Sequence, residues 1–317
     1  MPTYLVTGGA GFIGSHLVEF LLAQGGEVRI LDDFSTGRRE NIAPLLDKTV
    51  LFEGDLCDEG LVAEATKGVE FVFHQAAIPS VARSVEQPLA SNRANAEGTL
   101  NLLIASQKAK VKRLVYASSS AVYGSVGPLP RTEGLLPAPI SPYGVSKLAG
   151  EYYCRVWSEL FGLETVILRY FNIFGPRQNP ETQYAAVIPK FICAVLNSRA
   201  PTIYGDGEQA RDFTYVENVA LANWLAIQTP SGKGEVFNVA CGKRTTVNQL
   251  ADLINEITGT NYEPVHTEPR RGDVRHSYAD ITRAKKALGY EPRTGLKEGL
   301  RKTIEYFKNV GSRTSEA

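Results

Sequence analysis

Tyr143 and Lys147 have side chains that could transfer a proton. They are four residues apart, so a helix that begins at Tyr143 places both on one face. A free tyrosine titrates near about 10, and a neighbouring ammonium group favours the phenolate, which can act as a general base. Alone, a pair at this spacing is more often a surface pair, so the case for chemistry depends on its surroundings.

Three consecutive serines, Ser118, Ser119 and Ser120, follow a hydrophobic strand candidate. A serine hydroxyl beside a reacting oxygen can relay a proton or hold that oxygen. The alternative is strand-end hydrogen bonding to the backbone, which is expected for one or two of the three.

A glycine-rich segment near the start of the chain predicts a phosphate-binding loop. Gly8, Gly11 and Gly14 form a GxxGxxG pattern between a short strand and a helix candidate. Glycine lets the backbone turn sharply and approach a pyrophosphate, whose charge the helix N-terminus stabilises. The spacing alone is weak evidence, but its position inside a strand–loop–helix unit is what a dinucleotide site requires.

An acidic residue at the end of the next strand indicates which dinucleotide is bound. Asp32 can accept hydrogen bonds from the adenosine ribose hydroxyls and would repel a 2′-phosphate, which favours NAD over NADP. The alternative for Asp32 is a simple turn cap, for which Asp33 is an equal candidate. Arg38 and Arg39 argue the other way, because an arginine there could hold the 2′-phosphate.

The elements around these residues alternate between strand and helix candidates. Strand candidates occur at TYLVTG, EVRILDD, KTVLFEGD, GVEFVFHQAA, KRLVYASSS and LETVILRYFN. Such alternation predicts right-handed crossovers and a parallel sheet covered on both faces. We therefore expect an α/β protein with a doubly wound parallel Rossmann sheet.

A second, smaller α/β domain is expected to bind the substrate. After Asn172 the chain becomes rich in Pro and Gly, which is typical of irregular, site-forming segments. The predicted Rossmann domain is 1–173, with 208–240 returning to it. The second domain is 174–207 and 241–317, and it contains a helix candidate, TVNQLADLINEITG, with helical apolar spacing.

Composition disfavours several classes of partner. The chain of 317 residues has 34 basic and 34 acidic residues and lacks a basic run, so nucleic acid is not an expected partner. Apolar runs are shorter than a membrane span and the start lacks a signal peptide, so a cytoplasmic protein is expected. Four scattered cysteines and four histidines show no ligand spacing, so we expect no metal.

Further motifs follow in a particular order. They are Gly54-Asp55-Leu56, Ala76-Ala77, Asn95, Gly98-Thr99-Leu100, Val122-Tyr123-Gly124, Ser141 to Lys147, Arg169 to Asn172, Arg211-Asp212-Phe213 and Arg271-Gly272-Asp273. Together with the glycine loop, they resemble the extended short-chain dehydrogenase/reductase family, specifically its nucleotide-sugar 4-epimerases. The resemblance covers almost the whole chain, and the order makes it specific although each motif alone is common.

The resemblance implies Ser119, Tyr143 and Lys147 as catalytic residues and NAD as the cofactor. The residues implied in NAD binding are Gly8, Gly11, Phe12, Ile13, Gly14, Asp32, Asp33, Ser35, Thr36, Gly37, Asp55, Leu56, Gln75, Ala76, Ala77, Asn95, Ser118, Tyr143, Lys147 and Tyr170. It also implies a homodimer formed through the helices that begin near Asn92 and Tyr143.

The implied substrate is a UDP-sugar. The residues implied in binding it are Ser80, Ser119, Ser120, Tyr143, Asn172, Gln178, Ala186, Val187, Tyr204, Arg211, Arg271, Asp273 and Ser277. Arg211 and Arg271 would hold the diphosphate, and Asp273 the uridine ribose. Ser277 is small where glucose-restricted epimerases of the family carry a bulky tyrosine, so room for a 2-acetamido group is expected. Pro79 stands where the family has glycine.

The expected reaction is 4-epimerisation through a 4-keto sugar. Family dehydratases carry an acidic pair after the serine, whereas here Ser119 is followed by Ser120 and Ala121. The alternatives are a UDP-glucuronate epimerase, with Arg83 or Arg177 facing the carboxylate, another nucleotide-sugar oxidoreductase of this scaffold, such as a 4-keto reductase, or a non-catalytic NAD-binding scaffold.

Overall fold

The computed structural model describes residues 1–125, 127–180, 186–269 and 274–314, with side chains to 310. Its strands are β1 (Thr3–Thr7), β2 (Glu27–Asp32), β3 (Thr49–Glu53), β4 (Phe71–His74), β5 (Arg113–Ser119), β6 (Glu164–Tyr170), β7 (Ile173–Phe174), β8 (Thr202–Tyr204), β9 (Ala210–Arg211), β10 (Thr214–Tyr215), β11 (Glu235–Val239), β12 (Thr245–Thr246), β13 (Val265–Thr267) and β14 (His276–Ser277).

The helices surround these strands. They are α1 (Phe12–Ala23), α2 (Arg39–Ile42), α3 (Glu59–Thr66), α4 (Val81–Glu86), α5 (Pro88–Asn92), α6 (Gly98–Lys108), α7 (Pro142–Leu160), α8 (Val187–Leu196), α9 (Val216–Gln228), α10 (Val247–Thr258), α11 (Thr282–Leu288) and α12 (Leu296–Thr314). Short 3-10 helices lie at Ala43–Lys48 and Ser120–Tyr123, and a π-helical turn lies at Arg93–Glu97.

A seven-stranded sheet forms the centre of the fold. Its order is β11-β6-β5-β4-β1-β2-β3, and every pair is parallel. The chain winds outward from β1 in both directions, as in a Rossmann sheet, and the crevice at the reversal between β1 and β4 is where such folds bind ligands. The predicted fold class is confirmed.

The two faces of the sheet bury separate cores. Consecutive strand residues point to opposite faces, so Val6 lies in one cluster and Leu5 in the other. Both faces are covered by helices, which explains why the strand segments are almost continuously hydrophobic. A third cluster packs α8, α10 and α12 together through Phe191, Leu250 and Ile304.

Helix ends are set by local sequence. Ser141 precedes α7, and its hydroxyl accepts a hydrogen bond from the Gly144 N–H at 3.1 Å, while Pro142 is the first helical residue. Thr246 and Gln249 form a capping box at the start of α10. These caps fix where α7 begins and therefore where Tyr143 lies.

Small sheets connect the remaining segments. β10 pairs with β7, β9 pairs with β12 and β14, and β8 pairs with β13. In the described part of the chain, none of the helices is long and apolar enough to cross a bilayer.

Candidate active site

A cavity of about 1610 Å³ opens along the carboxyl ends of the central strands. Typical small-molecule pockets measure about 300–1,000 Å³, so this cavity has room for two ligands side by side. The predicted site residues that line it are Gly8, Gly11, Phe12, Ile13, Gly14, Asp32, Asp33, Ser35, Thr36, Gly37, Asp55, Leu56, Gln75, Ala76, Ala77, Ser80, Ser118, Ser119, Ser120, Tyr143, Tyr170, Asn172, Gln178, Ala186, Tyr204, Arg211 and Ser277.

The glycine loop has the geometry needed for a pyrophosphate. Gly8 has a φ of 68°, and a Cβ on Gly14 would lie 2.0 Å from the Gly8 carbonyl oxygen, so the loop packs tightly on the start of α1. No side chain caps this helix N-terminus, and its first turn has no acidic residue. Its free N–H groups and positive dipole end therefore suit an anion.

Asp32 connects the glycine loop to the end of β2. Its carboxylate accepts hydrogen bonds from the Ala10 N–H at 2.8 Å and the Phe34 N–H at 2.9 Å. Burial raises the pKa of this carboxyl group. Because a carboxylate has about four acceptor positions, Asp32 caps this turn and still has capacity for ribose hydroxyls.

The neighbouring charged residues have different partners. Asp33 accepts hydrogen bonds from the N–H and the hydroxyl of Ser35 at 2.9 and 2.7 Å, so it caps the local turn. Arg39 forms an ion pair with Glu53 and lies 4.2 Å from the centroid of the Phe34 ring. Arg38 lines the cavity.

Tyr143 is buried at 9% exposure and faces the cavity beside Ser119. Burial raises the pKa of its phenol, and the hydrogen bond with Ser119 opposes that rise. The sequence predicts that the Lys147 ammonium group favours the phenolate. In the folded chain without a bound cofactor, burial is the largest effect on the Tyr143 pKa, so the phenol is protonated at neutral pH.

Lys147 is buried behind Tyr143 and does not line the cavity. Its ammonium group donates a hydrogen bond to the Ala117 carbonyl oxygen at 2.9 Å and lies 5.1 Å from the centroid of the Tyr116 ring. Burial lowers its pKa to about 8. The Lys147 ammonium group thus lies against β5, and its residue is one helical turn after Tyr143 on α7.

The three strand-end serines are used differently. Ser118 donates its hydroxyl hydrogen to Glu151 at 2.5 Å. Ser119 accepts a hydrogen bond from the Ala121 N–H at 3.1 Å and is the serine next to the Tyr143 phenol. Ser120 begins the 3-10 helix. This arrangement favours Ser119 as the hydroxyl that reaches a bound substrate.

Besides Lys147, two predicted site residues among the described ones do not line the cavity. Asn95 accepts a hydrogen bond from the Ile78 N–H at 2.8 Å and donates one to Ser146 at 3.0 Å, so it joins the loop after β4 to α7. Val187 begins α8 and packs against the third hydrophobic cluster. Arg271 and Asp273 lie outside the described residues.

The proposed sugar-nucleotide end is built from the small sheets. Arg211 of β9 is paired in register with Ser277 of β14, which brings the two side chains to one edge of the cavity. Asn172 has a φ of 41° and donates to the Asp212 carbonyl oxygen at 3.4 Å. Gln178 donates to the Ile173 carbonyl oxygen at 3.1 Å.

Arg131 is a cavity residue that sequence reasoning missed. It is 4% exposed, and its backbone accepts a hydrogen bond from the Asp280 N–H and donates one to the Tyr278 carbonyl oxygen, each at 2.9 Å. Its guanidinium group donates to the Gly124 carbonyl oxygen at 3.4 Å. No local sequence pattern predicts this position, because its backbone partners, Tyr278 and Asp280, lie far away along the chain.

Asp212 connects two segments next to the site. Its carboxylate accepts hydrogen bonds from the N–H groups of Cys241 and Gly242 at 2.9 and 3.0 Å. Burial raises its pKa to about 6. Asp212 thereby connects the loop after β11 to the segment that carries Arg211.

Across the described ranges, no group of three His, Cys, Asp or Glu side chains could hold a metal ion.

The fold and the site together define a Rossmann-type enzyme with a dinucleotide cleft and an adjoining pocket for a second ligand. The model of the NAD dependent epimerase/dehydratase family matches residues 4–240, and the chain belongs to this family. The predictions of an enzyme and of NAD as its cofactor are confirmed.

Solved structures of UDP-sugar 4-epimerases are similar to this chain over nearly its whole length. A UDP-N-acetylglucosamine 4-epimerase from Methanobrevibacter ruminantium, in complex with UDP-N-acetylmuramic acid, is 40% identical with a TM-score of 0.94, covering 98% of this chain and 99% of that one. A UDP-glucose 4-epimerase from Thermotoga maritima, with UDP-glucose, is 43% identical with a TM-score of 0.92, covering 97% and 99%. A UDP-glucuronic acid 4-epimerase from Bacillus cereus, with UDP-glucuronic acid and NAD, is 32% identical with a TM-score of 0.89, covering 97% and 99%.

Proposed function

We propose that this protein is an NAD-dependent 4-epimerase of UDP-hexoses that accepts the N-acetylglucosamine and N-acetylgalactosamine forms as well as the glucose and galactose forms. The observation that carries the proposal is the buried phenol of Tyr143, which faces the cavity in hydrogen-bonding contact with Ser119. The 4-epimerase activities named for the similar structures support the reaction class.

The residues that would hold NAD are those of the glycine loop, Asp32 and the ends of β3, β4 and β6. When bound, NAD⁺ supplies a hydride acceptor, which later returns the hydride, and a positive charge that favours the phenolate. The fit rests on the uncapped start of α1 and on the close packing around Gly8 and Gly14.

Tyr143 exchanges the proton of the sugar 4-hydroxyl. In the first half of the reaction the phenolic oxygen accepts that proton, and Ser119 holds the 4-oxygen in place. In the second half, after the 4-keto sugar has turned over, the phenol returns the proton to the oxygen on the opposite face. Arg211 would hold the diphosphate during the turn, so that the sugar rotates without leaving.

Elimination is disfavoured because it needs an additional acid or base near the sugar. Among the described residues that line the cavity, the carboxylates belong to Asp32, Asp33, Asp55 and Glu86. None of them follows Ser119, which is succeeded by Ser120 and Ala121. Epimerisation needs only the Tyr143 phenol and the cofactor.

The small side chain of Ser277 supports acceptance of the 2-acetamido group. Ser277→Tyr is expected to lower kcat/KM for UDP-N-acetylglucosamine by at least about 10-fold, because the ring would fill the room for the 2-acetamido group and a misfit of one methylene already costs about 10- to 200-fold. Turnover of UDP-glucose should remain. Both substrates should be assayed with purified enzyme, and Ser277→Ala should retain both activities.

Negligible turnover of the N-acetyl substrates by the unmodified enzyme would refute the dual specificity. Turnover of UDP-glucose in the same assay would leave 4-epimerisation intact.

UDP-glucuronate is the second candidate substrate. Arg177 forms an ion pair with Glu19 at 2.7 Å and does not line the cavity, whereas Arg83 does. A carboxylate of the sugar would therefore meet Arg83 rather than Arg177. Incubating the protein with the glucose, N-acetylglucosamine, galactose and glucuronate forms of UDP-sugar, without added NAD, and separating the products distinguishes the candidates.

The proposed assembly is a dimer with a second copy of this chain. Val145, Tyr152, Val156 and Leu160 are exposed along one stripe of α7, and α5 with its exposed Leu89 packs beside that helix. Exposed apolar side chains that share one stripe of a surface helix favour association with another surface.

Val156→Glu is expected to convert the dimer into a monomer, because it places a charge within the apolar stripe. Light scattering coupled to size-exclusion chromatography measures the mass. Val265→Glu, at an exposed valine of β13, is the matched control and should keep the unmodified mass. If the unmodified protein is already monomeric at micromolar concentration, the proposed dimer is wrong.

A further inference from the structure

A buried ion pair lies directly behind the catalytic residues. Glu151 and Arg169 are 2% and 3% exposed. Arg169 donates through Nε and Nη2 to the two oxygens of Glu151 at 2.8 and 2.6 Å. Ser118 donates its hydroxyl hydrogen to the same carboxylate at 2.5 Å, so Glu151 accepts three hydrogen bonds from two different strands.

Stability alone is a weak reason to keep such a pair. Replacing a buried ion pair by hydrophobic residues of similar volume is often neutral or stabilising, because desolvation offsets the Coulomb attraction. A pair that is retained in the core is therefore a candidate for a role in function. The positions of its partners suggest which role.

Each partner of Glu151 is adjacent to a residue of the site. Ser118 precedes Ser119 in β5, and Arg169 precedes Tyr170 in β6. Ser118 pairs with Arg169, and Ser119 with Tyr170, in the sheet register. Glu151 itself lies one helical turn after Lys147 on α7. The Glu151 carboxylate thus connects α7 to the ends of β5 and β6. The last residues of these two strands, Ser119 and Tyr170, line the cavity.

Glu151 also affects the charge of Lys147. Burial favours the neutral amine and lowers the Lys147 pKa, and two acidic neighbours oppose this effect, first Cys154 and then Glu151. The other groups facing Lys147 are His74, Tyr116, Tyr143 and Cys154. Burial lowers the pKa of His74 to about 3 and raises the pKa values of the two tyrosines and the cysteine, so all four are uncharged at neutral pH.

We propose that Glu151 is a positioning residue of the epimerase: it fixes Ser118, and with it the end of β5 that carries Ser119, and it places a buried carboxylate one helical turn from Lys147. Arg169 orients the carboxylate through two hydrogen bonds. The proposal rests on the catalytic roles proposed above for Ser119, Tyr143 and Lys147.

Glu151→Gln tests the charge with little change of shape. The alkaline limb of the kcat profile is expected to move toward neutral pH by about one unit, in line with the loss of one nearby opposite charge. The KM for the UDP-sugar should stay within about twofold, because the nucleotide contacts are untouched. A purely structural role would instead lower activity equally at all pH values.

The double variant Glu151→Gln with Arg169→Gln removes the unpaired arginine that the single variant leaves behind. It is expected to show a smaller shift in the same direction, because loss of the Arg169 positive charge offsets part of the effect of losing the carboxylate. Ser118→Ala keeps the charge and removes only the hydrogen bond, so it should lower kcat without moving the alkaline limb. Glu159→Gln, at an exposed position of the same helix, is the control and should leave the profile unchanged.

A second measurement does not depend on turnover. In protein labelled with ¹⁵N-lysine, the resonance that disappears in Lys147→Arg reports the titration of Lys147. Its midpoint should fall by about one pH unit in Glu151→Gln and by less in the double variant. An unchanged midpoint overturns the proposal. Unmodified enzyme that turns over none of the UDP-sugars overturns the proposed function instead, and the two failures are thereby distinguished.

Discussion

Tyr143→Phe is expected to lower kcat for UDP-sugar epimerisation by about 10²- to 10⁴-fold, which is the usual contribution of a general acid–base group. That loss corresponds to about 3–5 kcal/mol of transition-state stabilisation. The reason is that the phenolic oxygen is the group facing the cavity beside Ser119 that can exchange the proton of the 4-hydroxyl. Stopped assays of product formation, with substrate in excess, measure the effect.

The fold should tolerate this change. The Tyr143 ring is buried, and phenylalanine preserves its packing while removing only the hydroxyl. The melting temperature and the NAD affinity should therefore remain near those of the unmodified enzyme. Tyr153→Phe, on the same helix and packed against Trp157, is the matched control and should keep full activity. If Tyr143→Phe turned over substrate at the original rate, Tyr143 would not be the base.

The fold could be predicted from sequence because its signals are local. Each of the six strand candidates became a strand of the central sheet. The start of α7 could also be predicted, since Ser141 and Pro142 are adjacent residues with known helix-start preferences. Periodicity and capping require only neighbouring residues, and one sequence displays both.

The support of the site could not be predicted in the same way. Glu151 meets Ser118 and Arg169 only because α7 packs on β5 and β6. His74 is held between the hydroxyls of Thr7 and Thr99 at 2.7 and 2.8 Å, across three separate elements. No spacing rule links such residues, since the contacts exist only once the sheet and its helices have assembled.

The pKa of Tyr143 shows why residue type alone was insufficient. The sequence placed an ammonium group one turn away and predicted easier ionisation, but it could not give the depth of burial. Desolvation disfavours the phenolate and is the larger effect in the folded chain. The proposed reactive phenol would therefore need the positive charge of the bound cofactor as well as the Lys147 ammonium group.

Gly11→Val is expected to weaken NAD binding by at least about 100-fold, or about 2.7 kcal/mol. A Cβ at Gly11 meets only the Gly8 carbonyl oxygen, at 3.1 Å, and Gly11 lines the cavity at the start of α1. The added methyl groups would therefore project into the space above the helix N-terminus, where a pyrophosphate must approach the backbone. Titration calorimetry with NAD on cofactor-stripped protein measures the loss.

Gly11 is a better test than Gly14, because the two glycines differ in what a side chain would meet. At Gly14 a Cβ would overlap the Gly8 backbone at 2.0 Å, so a substitution there disturbs the loop itself. At Gly11 a small adjustment suffices, and the melting temperature of the cofactor-free protein should change by only a few degrees, since about 1 kcal/mol shifts it by roughly 2–4 °C at this size. Gly295→Val, at an exposed glycine whose Cβ would meet open space, should bind NAD normally. Equal NAD affinity in the Gly11 and Gly295 variants would show that the pyrophosphate lies elsewhere than on the first turn of α1.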